Sequence, residues 1–175
     1  MKFKSLGLAF ALVALSQAAV QAADRFDFNE YHVAKVYKGK LKLPDFKGRE
    51  KGFADLSTRI TEAMKEGVTF AGEYSVMEAG CGSGCTSVVV ANNRTGEVYD
   101  FPRGGENNQA LTLQFKPDSN LMLVRWATDP SWQTCVFESL AFDDGKWVAK
   151  DALAGQGDEV CDGDVVQGAR KARGF

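Results

Sequence analysis

Histidine is almost missing from this chain: one residue, His32, stands among 21 basic and 23 acidic side chains. A Ser–His–carboxylate site would have to be assembled around that single imidazole, and neither a G-x-S-x-G nor an H-E-x-x-H arrangement accompanies it. His32 therefore reads as a surface or edge-strand residue. Long apolar runs are also absent. The run from Leu6 to Leu15 falls short of the roughly 20 residues that cross a hydrocarbon core, and no later segment reaches that length, so no transmembrane segment is expected in the mature chain. The polar content argues against repeated lipid-facing strands of an outer-membrane barrel. Nor is there an excess of one charge: the formal balance is -2. Removing Lys2 and Lys4 with a leader takes it to about -4, which gives no electrostatic reason to bind nucleic acid or another polyanion. No internal repeat is present, and the crossovers a parallel sheet requires are missing.

What is present begins with an address. Met1-Lys2-Phe3-Lys4, the apolar run and the small residues around Val20-Gln21-Ala22 have the layout of a secretory signal peptide, residues 1–22, with cleavage expected after Ala22. The mature chain, 23–175, is expected to be one α+β domain in the periplasm or outside the cell. About 150 residues can bury close to 70% of their unfolded surface, so a core is available without metals.

Cys81, Cys85, Cys135 and Cys161 make an even count in a chain addressed to an oxidising compartment, which implies pairing. Three connectivities are open. Cys81–Cys85 with Cys135–Cys161 is favoured, because Gly82-Ser83-Gly84 can take the positive φ values of a tight ring and the second pair would tie down the tail.

Along the chain, Tyr31 to Tyr37 reads as a strand and Pro44 to Gly48 as a turn. Phe53, Leu56, Ile60, Ala63 and Met64 recur at helical spacing, with Asp55 as N-cap and Gly67 as stop, giving a helix from about Asp55 to Glu66. The period then becomes alternating, with Val68, Phe70, Tyr74 and Val76 on one face. Val88 to Val90, Glu97 to Phe101, Leu111 to Phe115, Leu121 to Ala127, Thr134 to Phe142 and Lys146 to Lys150 follow as strands separated by short polar turns. The expected architecture is one N-terminal helix packed on an antiparallel meander of six or seven strands. The tail from Asp151 is Gly- and Asp-rich and anchored at most by Cys161, and its end, Arg170-Lys171-Ala172-Arg173, is expected to be disordered.

Chemistry has few footholds. Carboxylates abound, but a glycosidase pair is a matter of geometry rather than number. The Cys81-x-x-x-Cys85 spacing is one residue longer than a thioredoxin-type motif and strand residues follow it, which favours a structural disulfide over an exchange-active one. Asp158, Glu159, Asp162 and Asp164 surround two glycines without EF-hand spacing and read as a solvated acidic loop. Trp132 follows Asp129-Pro130-Ser131 on a turn where an aromatic side chain can be exposed for contact.

Phe70-Ala71-Gly72-Glu73-Tyr74 and Gly80-Cys81-Gly82-Ser83-Gly84-Cys85 resemble a group of small secreted bacterial proteins sharing a helix, an F-A-G-x-Y strand and a G-C-G-x-x-C loop. The resemblance runs from the helix to the last hairpin and implies architecture and address, with no activity attached. The position of Glu73 is often histidine in that group. A shorter stretch, Tyr74 to Ala79 leading into the cysteine loop, is similar to the periplasmic inhibitors of vertebrate-type lysozyme. That similarity implies a disulfide-closed loop that plugs an enzyme cleft. The inhibitors place a histidine in this loop, whereas Gly82-Ser83-Gly84 offers one hydroxyl and backbone amides.

A ring closed by a disulfide has its shape fixed before binding, so association loses less conformational entropy than with an open loop. The functional expectation is a non-catalytic exported protein that binds or inhibits a protein partner through Gly82, Ser83 and Gly84, aided by Glu78 and Trp132. No catalytic residue, metal or cofactor is assigned. Two other readings stand beside it: a structural accessory of the envelope, and an enzyme using the thiols or carboxylates.

Overall fold

A computed structural model describes residues 25–174 of the chain; the expected signal peptide, 1–22, lies outside them. The fold is α+β, with seven strands in two antiparallel sheets. The first sheet holds β1 (Tyr74–Gly82), β2 (Cys85–Asn92) and β3 (Val98–Asp100), and the second β4 (Gln109–Phe115), β5 (Leu121–Ala127), β6 (Thr134–Asp143) and β7 (Lys146–Gln156), each in sequence order. The single meander expected from sequence is thus divided. Between β3 and β4 the chain leaves the first sheet through Pro102 to Asn108, and Gly104, at φ 114°, passes so close to the Thr86 carbonyl that a Cβ would lie 2.4 Å from it. Only glycine fits that crossing.

Apolar residues on both faces of the central strands explain the layering. Met77, Ala79, Val89, Ala91 and Val98 of the first sheet pack against Ile60 and Met64 of α1 (Ser57–Glu66). Val88, Val90 and Phe101 face the second sheet, where Met122, Val124, Leu140 and Phe142 meet them. Leu121, Leu123 and Phe137 cover the far side under Phe26, Phe28 and α3 (Val165–Ala172). Four layers result: helix, sheet, sheet, helix. Each fully buried Leu, Ile, Phe or Met contributes roughly 1.5–3 kcal/mol relative to exposure, so the three clusters supply the main driving force. Arg103 spans the junction between the sheets, gripping buried Glu138 through two contacts of 2.6 Å while its guanidinium lies 5.6 Å from the Trp126 ring centre.

Local expectations fare unevenly. The helix is present, but Lys51–Leu56 is 3-10 and the α-helical part starts at Ser57 with Leu56 rather than Asp55 before it; Gly67, at φ 107°, ends it as expected. The run from Val68 to Val76 is not one strand. Ala71 and Gly72, at φ 47° and 79°, reverse the chain so that Phe70 bridges Tyr74. Tyr31 to Tyr37 forms no strand beyond a single bridge, His32 to Ser119. His32 is exposed, 4.0 Å from Asp118.

The C-terminal stretch departs furthest from expectation. Rather than a disordered tail, β7 extends to Gln156, and α2 (Asp158–Cys161) and α3 follow. Asp164 caps α3 by accepting the Gln167 N–H at 2.9 Å. Val165 and Ala169 are buried, and Gly168 lets the helix approach until a Cβ would sit 2.6 Å from both the Phe137 ring and the Val160 carbonyl. Burial against β6 and β7, rather than helix propensity, holds this segment.

Candidate functional site

Antiparallel pairing brings Cys81 and Cys85 to the closed end of the β1–β2 hairpin, where Gly82 opposes Cys85 and Ser83-Gly84 form the tip. The two cysteines are disulfide-bonded, with 5.1 Å between their Cα atoms; Cys135 and Cys161 form the second bridge, at 5.7 Å. Gly82 and Gly84 adopt φ 145° and 71°, values that favour glycine. Cys81, Gly82 and Ser83 are exposed.

Gly84 is half-buried because the tip is docked. Ala110 takes φ 53° as the extra residue of a bulge in β4, between Gln109 opposite Ala127 and Thr112 opposite Arg125. A bulge releases one N–H from its ladder. Here that N–H turns to the other sheet and donates to the Gly84 carbonyl at 2.8 Å. Sequence reasoning missed Ala110, since a left-handed alanine has no compositional signal.

Ala110 also lines a cleft of about 490 Å³ with Thr112, Arg125, Trp132, Asp158 and Asp162. The cysteine ring and Trp132, far apart in sequence, are thus linked by one residue. Trp132 is 53% exposed and left-handed, at φ 60°. A bulky residue in that conformation is uncommon and persists where its surroundings determine it. Asp129 provides the restraint: its carboxylate accepts from the Ser131 N–H at 2.8 Å, the Thr134 N–H at 2.6 Å and both hydroxyls of these residues. The Ser131 and Thr134 hydrogen bonds hold the Asp129 carboxyl far below the ordinary carboxylate range. At physiological pH the turn is locked with its indole outward.

Across the cleft, Arg125 donates to the Gly163 carbonyl at 3.0 Å and the Thr112 hydroxyl at 3.1 Å. Burial lowers its pKa, against the opposing pull of Asp162. Asp158 accepts from the Gln133 amide at 2.6 Å. The lining thus mixes donors, acceptors and one exposed ring. Among the described residues no group of three or more His, Cys, Asp or Glu side chains is arranged to hold a metal ion.

Glu78 stands apart. It lies on edge strand β1 opposite Val88 and lines neither this cleft nor the neighbouring one bounded by Gln109, Asp129 and Pro130. The residue is exposed overall, but its face points to the rim of the inter-sheet core, and desolvation there pushes its carboxyl above the ordinary range. No helix among the described residues is long and apolar enough to cross a membrane. None of the known family models, curated proteins or solved structures matches this chain.

Proposed function

We propose that this is an exported binding protein that engages a protein partner with the end of the molecule where the Cys81–Cys85 ring, the Ala110 bulge and the Asp129–Trp132 turn adjoin. The observation that carries the reading is Trp132, whose indole is exposed on a turn that Asp129 restrains. Exposed aromatic anchors on preorganised turns are where interfaces concentrate their energy. The ring adds a second fixed projection, with Ser83 at its crest. Gly82 and Gly84 contribute backbone rather than side chains, and Glu78, set back along β1, serves at most the rim. Two disulfides fit an oxidising compartment.

Site-specific photo-crosslinking tests this. A cross-linker at Ser83 or at Trp132 captures the same partner in the native envelope or secreted fraction, whereas one at exposed Thr58 on α1 does not. With the purified partner, Trp132→Ala lowers affinity by roughly thirtyfold, the loss of a hot-spot side chain of about 2 kcal/mol. Vertebrate-type lysozyme is the first purified candidate, on the similarity of the Tyr74–Ala79 stretch that leads into the cysteine loop. Capture at Thr58 equal to that at Ser83 and Trp132 would overturn the reading.

A further inference from the structure

We infer that the segment from Lys35 to Leu43 is a docking strap for an anionic phospholipid surface. Between residues 35 and 51 the chain carries seven cationic side chains, Lys35, Lys38, Lys40, Lys42, Lys47, Arg49 and Lys51, against two acidic ones, Asp45 and Glu50. A third of the 21 cations thus lie in one short segment of a chain whose overall balance is acidic. Whole-chain charge conceals this, because the field at a surface is set by local groups within about 10 Å at ordinary ionic strength.

The strap is preformed. Tyr37 donates its N–H to the Gly72 carbonyl at 2.6 Å, and Lys42 donates to the Asn93 carbonyl at 3.0 Å. At Gly72 and Gly96 a Cβ would come within 2.7 Å of the Lys35 carbonyl and 2.8 Å of the Leu43 carbonyl. The strap is therefore seated on the turns it crosses. Leu41 packs inward on the α1 cluster, and Lys40 and Lys42 on either side of it are exposed, as are Lys35 and Lys38.

These charges are not neutralised from neighbouring elements. Glu73 is held by Arg94, and Glu97 and Glu50 by Arg49. Asp45 accepts the N–H groups of Lys47 and Gly48. The Glu97 pKa is lowered first by the Thr95 hydrogen bond, then by Arg49 and the Tyr99 hydrogen bond, and only last by Lys42, which forms no ion pair with it. Among the described residues Lys35, Lys38, Lys40 and Lys42 enter no ion pair.

A lipid surface fits better than a soluble polyanion because Leu43, next to the lysines, is 45% exposed. A basic surface with an apolar side chain at its edge suits an interface that is charged at the headgroups and apolar beneath them. The strap crosses the chain beside Gly72 and Asn93, at the open end of the β1–β2 hairpin. The cysteine ring lies at the other end, eight residue steps or about 26 Å away. A molecule seated on the strap keeps that ring clear of the surface.

Vesicle co-sedimentation tests the inference, independently of the partner proposal. The full mature chain binds vesicles of phosphatidylcholine with about 30% phosphatidylglycerol, and not pure phosphatidylcholine vesicles. Binding disappears near 0.5 M salt, roughly where the screening length falls to a few ångströms. Each basic residue near an anionic surface multiplies affinity about fivefold, so Lys38→Glu/Lys40→Glu/Lys42→Glu loses about a hundredfold or more and Leu43→Asp loses part. Lys65→Glu on α1 leaves binding unchanged. Equal vesicle binding by the folded triple variant overturns the inference. So does binding to soluble polyphosphate as tight as to vesicles with Leu43→Asp without effect, which would assign the strap to soluble polyanions.

Discussion

The Ala110 N–H donates to the Gly84 carbonyl at 2.8 Å, joining the tip of the first sheet to the first strand of the second. Ala110 makes this contact from a left-handed backbone, which costs an L-residue roughly 1–2 kcal/mol. Ala110→Gly removes that strain and offsets part of the gain by about 0.4–1 kcal/mol through a more disordered unfolded chain. The expected outcome is a rise in stability of about 0.5–1 kcal/mol, read as a higher urea midpoint at unchanged slope. Ala110→Val shifts the midpoint the other way, because a β-branched residue tolerates that conformation least.

The two disulfides differ in purpose, and their removal separates them. Cys135–Cys161 closes 26 positions and tethers α2 and α3 over the far face of the second sheet. Chain entropy alone predicts a loss of roughly 3.5 kcal/mol for Cys135→Ser/Cys161→Ser. The same relation gives about 2 kcal/mol for the Cys81–Cys85 ring, whose loss leaves the pairing of β1 with β2 in place. Thermal unfolding of the two double variants should therefore rank them in that order.

Buried Glu138 depends on Arg103. Arg103→Met strands a carboxylate that is 4% exposed, and costs about 3–5 kcal/mol. Arg103→Met/Glu138→Leu restores much of that loss by removing the stranded charge. A double-mutant cycle in urea checks the coupling; additive single losses would show that the pair does not act as a unit.

Glu78 makes a pH prediction of known sign. Its carboxyl is raised above the ordinary value of 4.5, so the folded state holds the proton over a window in which the unfolded chain has released it. Its contribution to stability is fully present below that ordinary value and is lost as pH rises through the folded one. Glu78→Gln should thus gain relative to wild type on going from pH 4 to pH 7, in parallel urea titrations. A wild-type advantage that grows with pH would contradict this sign. The residue is exposed overall, so the difference is small.

The candidate site is partly legible in the sequence. Gly82-Ser83-Gly84 between two cysteines marks a tight ring, and Asp129-Pro130-Ser131 marks a turn that presents Trp132. Their common neighbour is not legible there. The bulge at Ala110 depends on how β4 pairs with β5, and Arg125 and Asp162 meet only because α2 folds back over the second sheet. Glu78 shows the converse: its proximity to the ring along the chain does not bring it to the cleft.

Local physics, written into the order of residues, determined the strands from Val88 onward, the helix ending at Gly67 and the Asp143-Asp144-Gly145 hairpin, and it favoured the cysteine pairing that the structure holds. These depend on neighbours a few positions apart, or on composition and compartment. Tertiary structure decided that seven strands divide into two sheets, that the stretch after Asp151 becomes a docked helix, and that Lys35 to Leu43 lies as a strap across two turns. Periodicity tells which side chains share a face but not what covers it. The apolar runs Val88–Ala91 and Leu121–Val124 required cover on both faces, and only the assembled layers supplied it.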